Sequence, residues 1–211
     1  MTRACKLLDA AFQEARTKYA ELDKKWIRIS ICIGSKLPAS LLAPTIQRDG
    51  ELDLLIRCLE DELADLNAEG RAQDVFALRR VNMLSEYWVG GMYETFRLLR
   101  QRKLCENSVE FVKLFRELEL ARIPLEKHEI AKDRQLDAPL TLVKQPQTGS
   151  NDEYVYSPDD PGRAHIMSRG VSERGSIMWH VIELKREHSY HSYWVDRRRI
   201  SDGVLGLWNN V

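Results

Sequence analysis

Apolar residues recur at helical spacing through the first part of the chain, and this periodicity stops at Asp137. Up to that point, apolar side chains alternate in steps of three and four residues, which is the pattern of helices with one buried face. Beyond it, prolines become frequent: four of the seven fall between Pro139 and Pro161. The pattern predicts an α+β protein, with an N-terminal antiparallel bundle of about four helices followed by a small, mainly antiparallel β-rich part.

The two parts are taken as residues 1–137 and 138–211. A chain of 211 residues is long enough for one domain in which both parts pack together, or for two small domains. The domain count therefore stays open at this point.

The first helix is predicted over Thr2–Lys25, and the next stretch fits two structures. Its stripe consists of Cys5, Leu8, Phe12, Ala15, Tyr19 and Leu22. Trp26, Ile29 and Ile33 would continue that stripe as a helix. The isoleucines at 27, 29, 31 and 33 also alternate with other residues as in a strand. Residues 26–33 are therefore predicted as either helix or strand.

Three further helices are predicted before the boundary: Gly50–Asn67, Val75–Lys103 and one that starts at Asn107. Asp49 would cap the first of these through its carboxylate. The adjacent Gly90 and Gly91 predict a kink or a close helix–helix contact, because each costs about 1 kcal/mol against alanine inside a helix. Pro124 removes a backbone donor, so a bend is expected near Leu120.

The β-rich part is predicted to contain five strands and a short terminal helix. The strands are Leu140–Lys144, Glu153–Tyr156, Ala164–Ser168, Ser176–Leu184 and Tyr190–Asp196. Ser176–Leu184 is apolar on both faces, which is typical of a central strand. Ser201 would cap the terminal helix.

Charge and cysteine usage bear on the class of protein and its compartment. Lysine plus arginine equals aspartate plus glutamate, at 32 each, so the basic excess of a dedicated nucleic-acid or membrane-surface protein is missing. The first 25 residues mix charges throughout, and no apolar run is long enough to span a bilayer, so neither a signal peptide nor a membrane anchor is expected. The four cysteines form no CxxC pair, which indicates free thiols in the reducing cytoplasm.

Arg122 and His128 form the first candidate catalytic pair. An arginine followed by a histidine four to six residues later resembles the signature of the HEPN-superfamily ribonucleases, which are helical and usually dimeric. The resemblance covers one helix, and it implies that His128 acts on an RNA 2′-hydroxyl while Arg122 holds the phosphate. It departs from the family pattern at the position after Arg122, where Ile123 replaces the usual asparagine.

Two further candidate sites lie in the β-rich part. His180, His188 and His191, with Asp196 or Glu187 nearby, could hold zinc or iron, although His188 and His191 would face opposite sides of a regular strand. The basic and aromatic residues at the end of the chain suit single-stranded nucleic acid; they are Arg197, Arg198, Arg199 and Trp194. No glycine-rich phosphate loop or HExxH motif is present, so no cofactor is predicted.

Three hypotheses about function follow. The leading hypothesis is a cytoplasmic interaction or structural protein that forms a homodimer or docks a protein partner through its helical part, because strong apolar stripes and neutral charge need no chemistry. The first alternative is a HEPN-like RNA-cleaving or nucleic-acid-binding protein that uses Arg122 and His128. The second alternative is a metal-dependent enzyme that uses the strand histidines.

Overall fold

The computed structural model describes residues 2–70, 75–105, 108–143, 152–185 and 189–208. Within these ranges the helices are α1 (Arg3–Lys18), α2 (Ala20–Gly34), α3 (Leu42–Ala68), α4 (Val75–Gln101), α5 (Val109–Lys127) and α6 (Arg197–Leu207). The strands are β1 (Leu140–Val143), β2 (Glu153–Tyr156), β3 (Arg169–Val171), β4 (Ile177–Leu184) and β5 (Tyr190–Asp196). The order of helices before strands confirms the predicted α+β class.

The ambiguous stretch 26–33 is helical, because it lies within α2. Trp26 and Ile29 are buried in the core, whereas Ile31 remains 60% exposed. The alternating isoleucines therefore belong to the two sides of a helix and not to the two faces of a strand. The prediction of one helix over Thr2–Lys25 is wrong at its C-terminal end, since Tyr19 leaves helical geometry with φ −114° and ψ 38° and separates α1 from α2.

The predicted start of the second helix at Gly50 is also wrong, because α3 begins eight residues earlier at Leu42. Pro44 lies in the first turn of α3, where a missing backbone donor is tolerated. Asp49 is consequently not a cap but a buried residue in the middle of a helix. Gly50 is required there for space, since a Cβ atom would lie 2.6 Å from the ring of Trp26.

Helices α4 and α5 pack on this framework. A Cβ atom on Gly91 would lie 3.1 Å from the carboxylate oxygens of Asp49, so the glycine pair marks a close approach between α3 and α4. The α5 helix is capped by Ser108, whose Oγ accepts a hydrogen bond from the backbone N–H of Phe111 at 3.2 Å. The predicted cap Asn107 lies outside the described residues. The helix continues through Pro124 and ends at Lys127.

The strands form two small antiparallel sheets, β1–β2 and β3–β4–β5. Four of the five predicted strands are found. The third predicted strand, Ala164–Ser168, is displaced along the chain, because β3 occupies Arg169–Val171. The central position of β4 in its sheet is confirmed. The terminal helix α6 starts at Arg197 and is capped by Asp196, whose Oδ1 accepts from the N–H of Arg199 at 2.8 Å. Ser201, the predicted cap, is instead buried inside α6.

Two apolar clusters hold these elements together. The larger one contains residues of all six helices together with Ile177, Trp179, Val181 and Val195 of the three-stranded sheet. The smaller one joins the β1–β2 hairpin to β4 and consists of Ile130, Leu140, Leu142, Tyr156 and Ile182. Among the described helices, none combines the length and apolar character that crossing a membrane requires.

Candidate functional site

Two of the arginines that sequence analysis assigned to nucleic acid are buried against α3. Arg197 is fully excluded from solvent and donates hydrogen bonds to Glu60 at 2.8 Å and to Asp53 at 2.6 Å. Burial alone would raise the pKa of the Asp53 carboxyl, but the positive charges of Arg57 and Arg197 outweigh it and lower the pKa. All three nitrogen atoms of the Arg197 guanidinium therefore donate to protein carboxylates.

Arg198 is held in a neighbouring cluster. Its guanidinium donates to Asp61 at 2.6 Å and to the hydroxyl of Tyr19 at 2.8 Å. Burial alone would raise the pKa of Asp61, but hydrogen bonds from Lys18, Tyr19 and Arg198 hold it at about 2. The cluster therefore joins the end of α1 to α3 and α6, and its two cations, Lys18 and Arg198, share the carboxylate of Asp61.

Arg199 lies elsewhere, in a groove of about 710 Å³ between α5 and β5 that we call the α5–β5 groove. Its polar and aromatic lining includes Lys113, Arg116, His191, Tyr193 and Arg199, whereas the ring of Trp194 lies on the opposite face of β5, 5.1 Å from the ring of His180. Two carboxylates partly neutralise the positive charge of this surface. Glu117 accepts from Arg199 at 2.8 Å, and Glu183 accepts from Arg116 at 3.2 Å.

Arg122 and His128 occupy different surroundings. The guanidinium of Arg122 lies 4.5 Å from the ring centroid of Tyr93 and pairs with Glu126 at 2.7 Å and Glu94 at 3.3 Å. His128 ends α5 in the left-handed region, with φ 57°. It lines a cleft with Arg169 and other residues near the sheet. Positions six apart on a helix differ by about 240° in direction, and no described contact joins these two side chains.

The strand histidines are not gathered into one site by the described residues. His180 pairs with Trp194 and Glu183 pairs with His191 in the register of β4 and β5, so His180 and His191 lie on opposite faces of the sheet. His188 and Glu187 lie outside the described residues. Within the ranges that the structure describes, no group of three or more His, Cys, Asp or Glu side chains could hold a metal ion.

A further group of polar side chains meets where the two sheets face each other. A cavity of about 90 Å³, which we call the inter-sheet cavity, is lined by His165, His180, Ser168, Ser192 and Tyr190 together with apolar residues. His165 is only 7% exposed, and its Nδ1 lies 2.7 Å from the hydroxyl of Tyr154. Its Nε2 is buried and has no hydrogen-bond partner among the described residues.

Burial sets the protonation of these groups. It lowers the pKa of His165 to about 4, with a smaller contribution from the positive charge of His180. Burial also raises the pKa of Tyr154 to about 12, with Tyr190 contributing in the same direction. At neutral pH the imidazole is therefore neutral and the phenol protonated, so the Tyr154 hydroxyl can donate to Nδ1 and leave the proton of the imidazole on Nε2.

Neither His165 nor Tyr154 belongs to a motif that the sequence makes visible. His165 lies in a segment between β2 and β3 that was predicted as a strand, and nothing in its spacing from Tyr154 indicates contact. The pair is formed by folding, since the loop is anchored by a hydrogen bond from the His165 backbone N–H to the carbonyl of His128 at 2.7 Å. The only signal available in the sequence was the concentration of histidines after Pro139.

Comparison with known proteins gave no match: no family model, no curated protein and no solved structure is similar to this chain at a significant level.

Proposed function

We propose that this chain is a cytoplasmic interaction protein whose helical part pairs with a second copy through the N-terminal half of α1. The observation that carries the proposal is the apolar stripe of α1, which passes from the core into solvent. Ala15 is fully buried and Phe12 is partly buried against the core, whereas Leu8 is 57% and Leu7 65% exposed. A contiguous apolar stripe that leaves the core is the usual mark of a protein contact.

Charges beside the stripe favour a second copy as the partner. Arg3 and Glu14 are eleven residues apart, about three turns, and so lie on the same flank of α1. Neither forms an ion pair within the described part of the chain. In an antiparallel pairing through the face between Leu7 and Leu8, with the two-fold axis at the level of Leu8, Arg3 of each copy meets Glu14 of the other. A two-fold interface requires such self-complementarity, because the same patch serves both subunits.

Light scattering after size-exclusion chromatography tests the pairing. The wild type is expected at about twice the chain mass of 24.5 kDa, and Leu8→Glu is expected at the monomer mass. Leu41→Glu is the matched control, since Leu41 is 78% exposed but lies outside α1. A wild type that stays monomeric over the whole accessible concentration range, or an equal loss of dimer with Leu41→Glu, contradicts the proposal.

A charge exchange distinguishes a second copy from an unrelated partner. Arg3→Glu alone places two acidic residues opposite each other across the two-fold axis and weakens the dimer. Adding Glu14→Arg restores the opposite pairing, so the double variant regains the dimer. If the double variant is as monomeric as Arg3→Glu, the antiparallel arrangement is wrong.

The α5–β5 groove supports a second candidate function, the binding of single-stranded nucleic acid. The observation in its favour is that Arg199 shares one groove with Lys113, Arg116, His191 and Tyr193. Phosphates would pair with the cations while a base stacks on the ring of Tyr193.

Fluorescence anisotropy with a labelled uridine oligonucleotide tests this candidate. Tyr193→Ala is expected to weaken binding by about 5- to 100-fold, the effect of losing one stacked base, and added salt should weaken it further. An absence of binding at low salt contradicts this candidate function.

The same oligonucleotide, incubated with the wild type and with His128→Ala, tests the RNA-cleavage hypothesis, which requires cleavage that the substitution abolishes.

A further inference from the structure

The polar lining of the inter-sheet cavity consists of groups that can donate hydrogen bonds. The lining contains the imidazoles of His165 and His180 and, in addition, the hydroxyls of Ser168, Ser192 and Tyr190. No carboxylate is among the described residues that line it. Such a lining is complementary to an acceptor that carries negative charge.

The central imidazole is held in place from several sides. The backbone N–H of His165 donates to the carbonyl of His128 at 2.7 Å, and the carbonyl of Ser168 accepts from the N–H of His180 at 2.9 Å. The side chain is fixed by the 2.7 Å contact between Nδ1 and the Tyr154 hydroxyl. This leaves Nε2 as the unsatisfied group. An unsatisfied buried donor costs about 1–3 kcal/mol, so an occupant that accepts from it is favoured.

We propose that the inter-sheet cavity binds a small monovalent oxyanion, such as a carboxylate, that accepts a hydrogen bond from Nε2 of His165. The size of the cavity limits the occupant to a few heavy atoms. Its volume of about 90 Å³ corresponds to roughly three water molecules at about 30 Å³ each. This site is independent of the α1 pairing and lies in the other part of the molecule.

Binding is coupled to a proton, because the imidazole of the empty site is neutral. Among the described residues, the titratable groups that face His165 are Tyr154 from β2, His180 from β4 and Tyr190 from β5. On the side of α5, His128 and Arg169 share a cleft with it, and Arg169 is paired with Glu86 at 2.8 Å. None of these is a carboxylate that would already hold His165 in its charged form. An anion therefore stabilises the imidazolium and draws a proton onto the site.

Titration of the full chain with formate, and separately with nitrate, tests the proposal. The readout is the set of imidazole nitrogen and carbon signals in NMR spectra of the wild type. We expect saturable shifts at His165 and His180, with affinity that rises as pH falls from 7 to 5 by up to about tenfold per pH unit. Binding of formate alone identifies the occupant class as carboxylates, whereas binding of both identifies any planar oxyanion.

Three variants complete the test. His165→Gln should abolish the shifts at His180, Tyr154→Phe should weaken binding, and His191→Gln should leave it unchanged because His191 lies on the opposite face of β5. If His165→Gln does not fold, the wild-type titration still decides. No saturable shift at His165 with either anion, or equal shifts at His191, overturns the proposal.

Discussion

Arg197 in the first turn of α6 donates two hydrogen bonds of 2.8 Å to the carboxylate of Glu60 in α3, from Nε to Oε1 and from Nη2 to Oε2. Both side chains are fully excluded from solvent. The remaining N–H edge of Arg197 reaches Asp53 at 2.6 Å, and Arg57 also binds Asp53, at 2.9 Å. Two positive and two negative charges therefore balance in the interior and tie the last helix to the centre of the bundle.

Removal of one partner from this cluster should be severe. Glu60→Gln leaves the charge of Arg197 with half of its compensation, and loss of one member of a buried pair typically costs about 3–5 kcal/mol. We expect the free energy of unfolding, measured by urea denaturation, to fall by roughly that amount. The double variant Glu60→Leu/Arg197→Leu removes both charges and keeps the Asp53–Arg57 pair. Its free energy of unfolding should fall by clearly less than the sum of the decreases in Glu60→Leu and Arg197→Leu. Additive decreases would contradict an energetic coupling between the two side chains.

Two helical glycines should respond to alanine in opposite directions. At Gly50 a Cβ atom would lie 2.6 Å from the Trp26 ring, so Gly50→Ala should destabilise the protein by about 1–3 kcal/mol despite the better helix propensity of alanine. At Gly206 in α6 no atom of the described residues lies within 4 Å of the added atom, so Gly206→Ala should stabilise the protein by up to about 1 kcal/mol. Thermal denaturation of both variants checks the difference, and a shift of the same sign in both would refute it.

Gly50 shows why the boundaries of the helices were harder to predict than their existence. Asp49 followed by Gly50 resembles a helix start, because aspartate caps helices and glycine seldom lies inside them. Both residues are instead explained by contacts distant in sequence: Gly50 makes room for Trp26, and Asp49 faces Gly91 of α4. The apolar stripes were sufficient to predict the bundle, because the spacing of apolar residues along the chain indicates which face of a helix is buried.

The functional residues were less predictable for the same reason. The run Arg197–Arg199 looks uniform in sequence, but its members face different neighbours. Arg197 and Arg198 bind acidic residues of α3, and only Arg199 reaches the α5–β5 groove. His165 and Tyr154 meet only because the segment between β2 and β3 folds back onto the sheet. Neither outcome depends on spacing along the chain, so periodicity could not reveal it.

The backbone at His128 is strained for a residue with a side chain. Its φ of 57° lies in the left-handed region, which glycine occupies without steric cost at the end of a helix. His128→Gly should therefore raise the free energy of unfolding by about 0.5–1 kcal/mol. Lys127→Gly, one residue earlier and still helical, is the control and should lower it. Chemical denaturation measures both, and a loss of stability with His128→Gly would show that the imidazole contributes more than its backbone costs.

The neutral imidazole of His165 should make the stability of the fold depend on pH. Burial, assisted by the charge of His180, lowers its pKa to about 4 from an ordinary value of 6.5. Between those two values the unfolded chain binds a proton that the folded chain does not, so stability is full above pH 6.5 and decreases as pH falls toward 4. For this residue alone, the expected loss between pH 7 and pH 5 is about 2 kcal/mol.

Urea denaturation of the wild type and His165→Gln at pH 7 and pH 5 isolates that contribution. The variant lacks the titrating ring, so its stability should change less over this interval by about 2 kcal/mol. His191→Gln is the matched control, because His191 is exposed on the opposite face of the sheet and its removal should leave the pH dependence of the wild type intact. Identical pH dependence in the wild type and His165→Gln would mean that His165 takes up its proton equally well in the folded chain. In that case the interior around Tyr154 is more polar than the described contacts indicate.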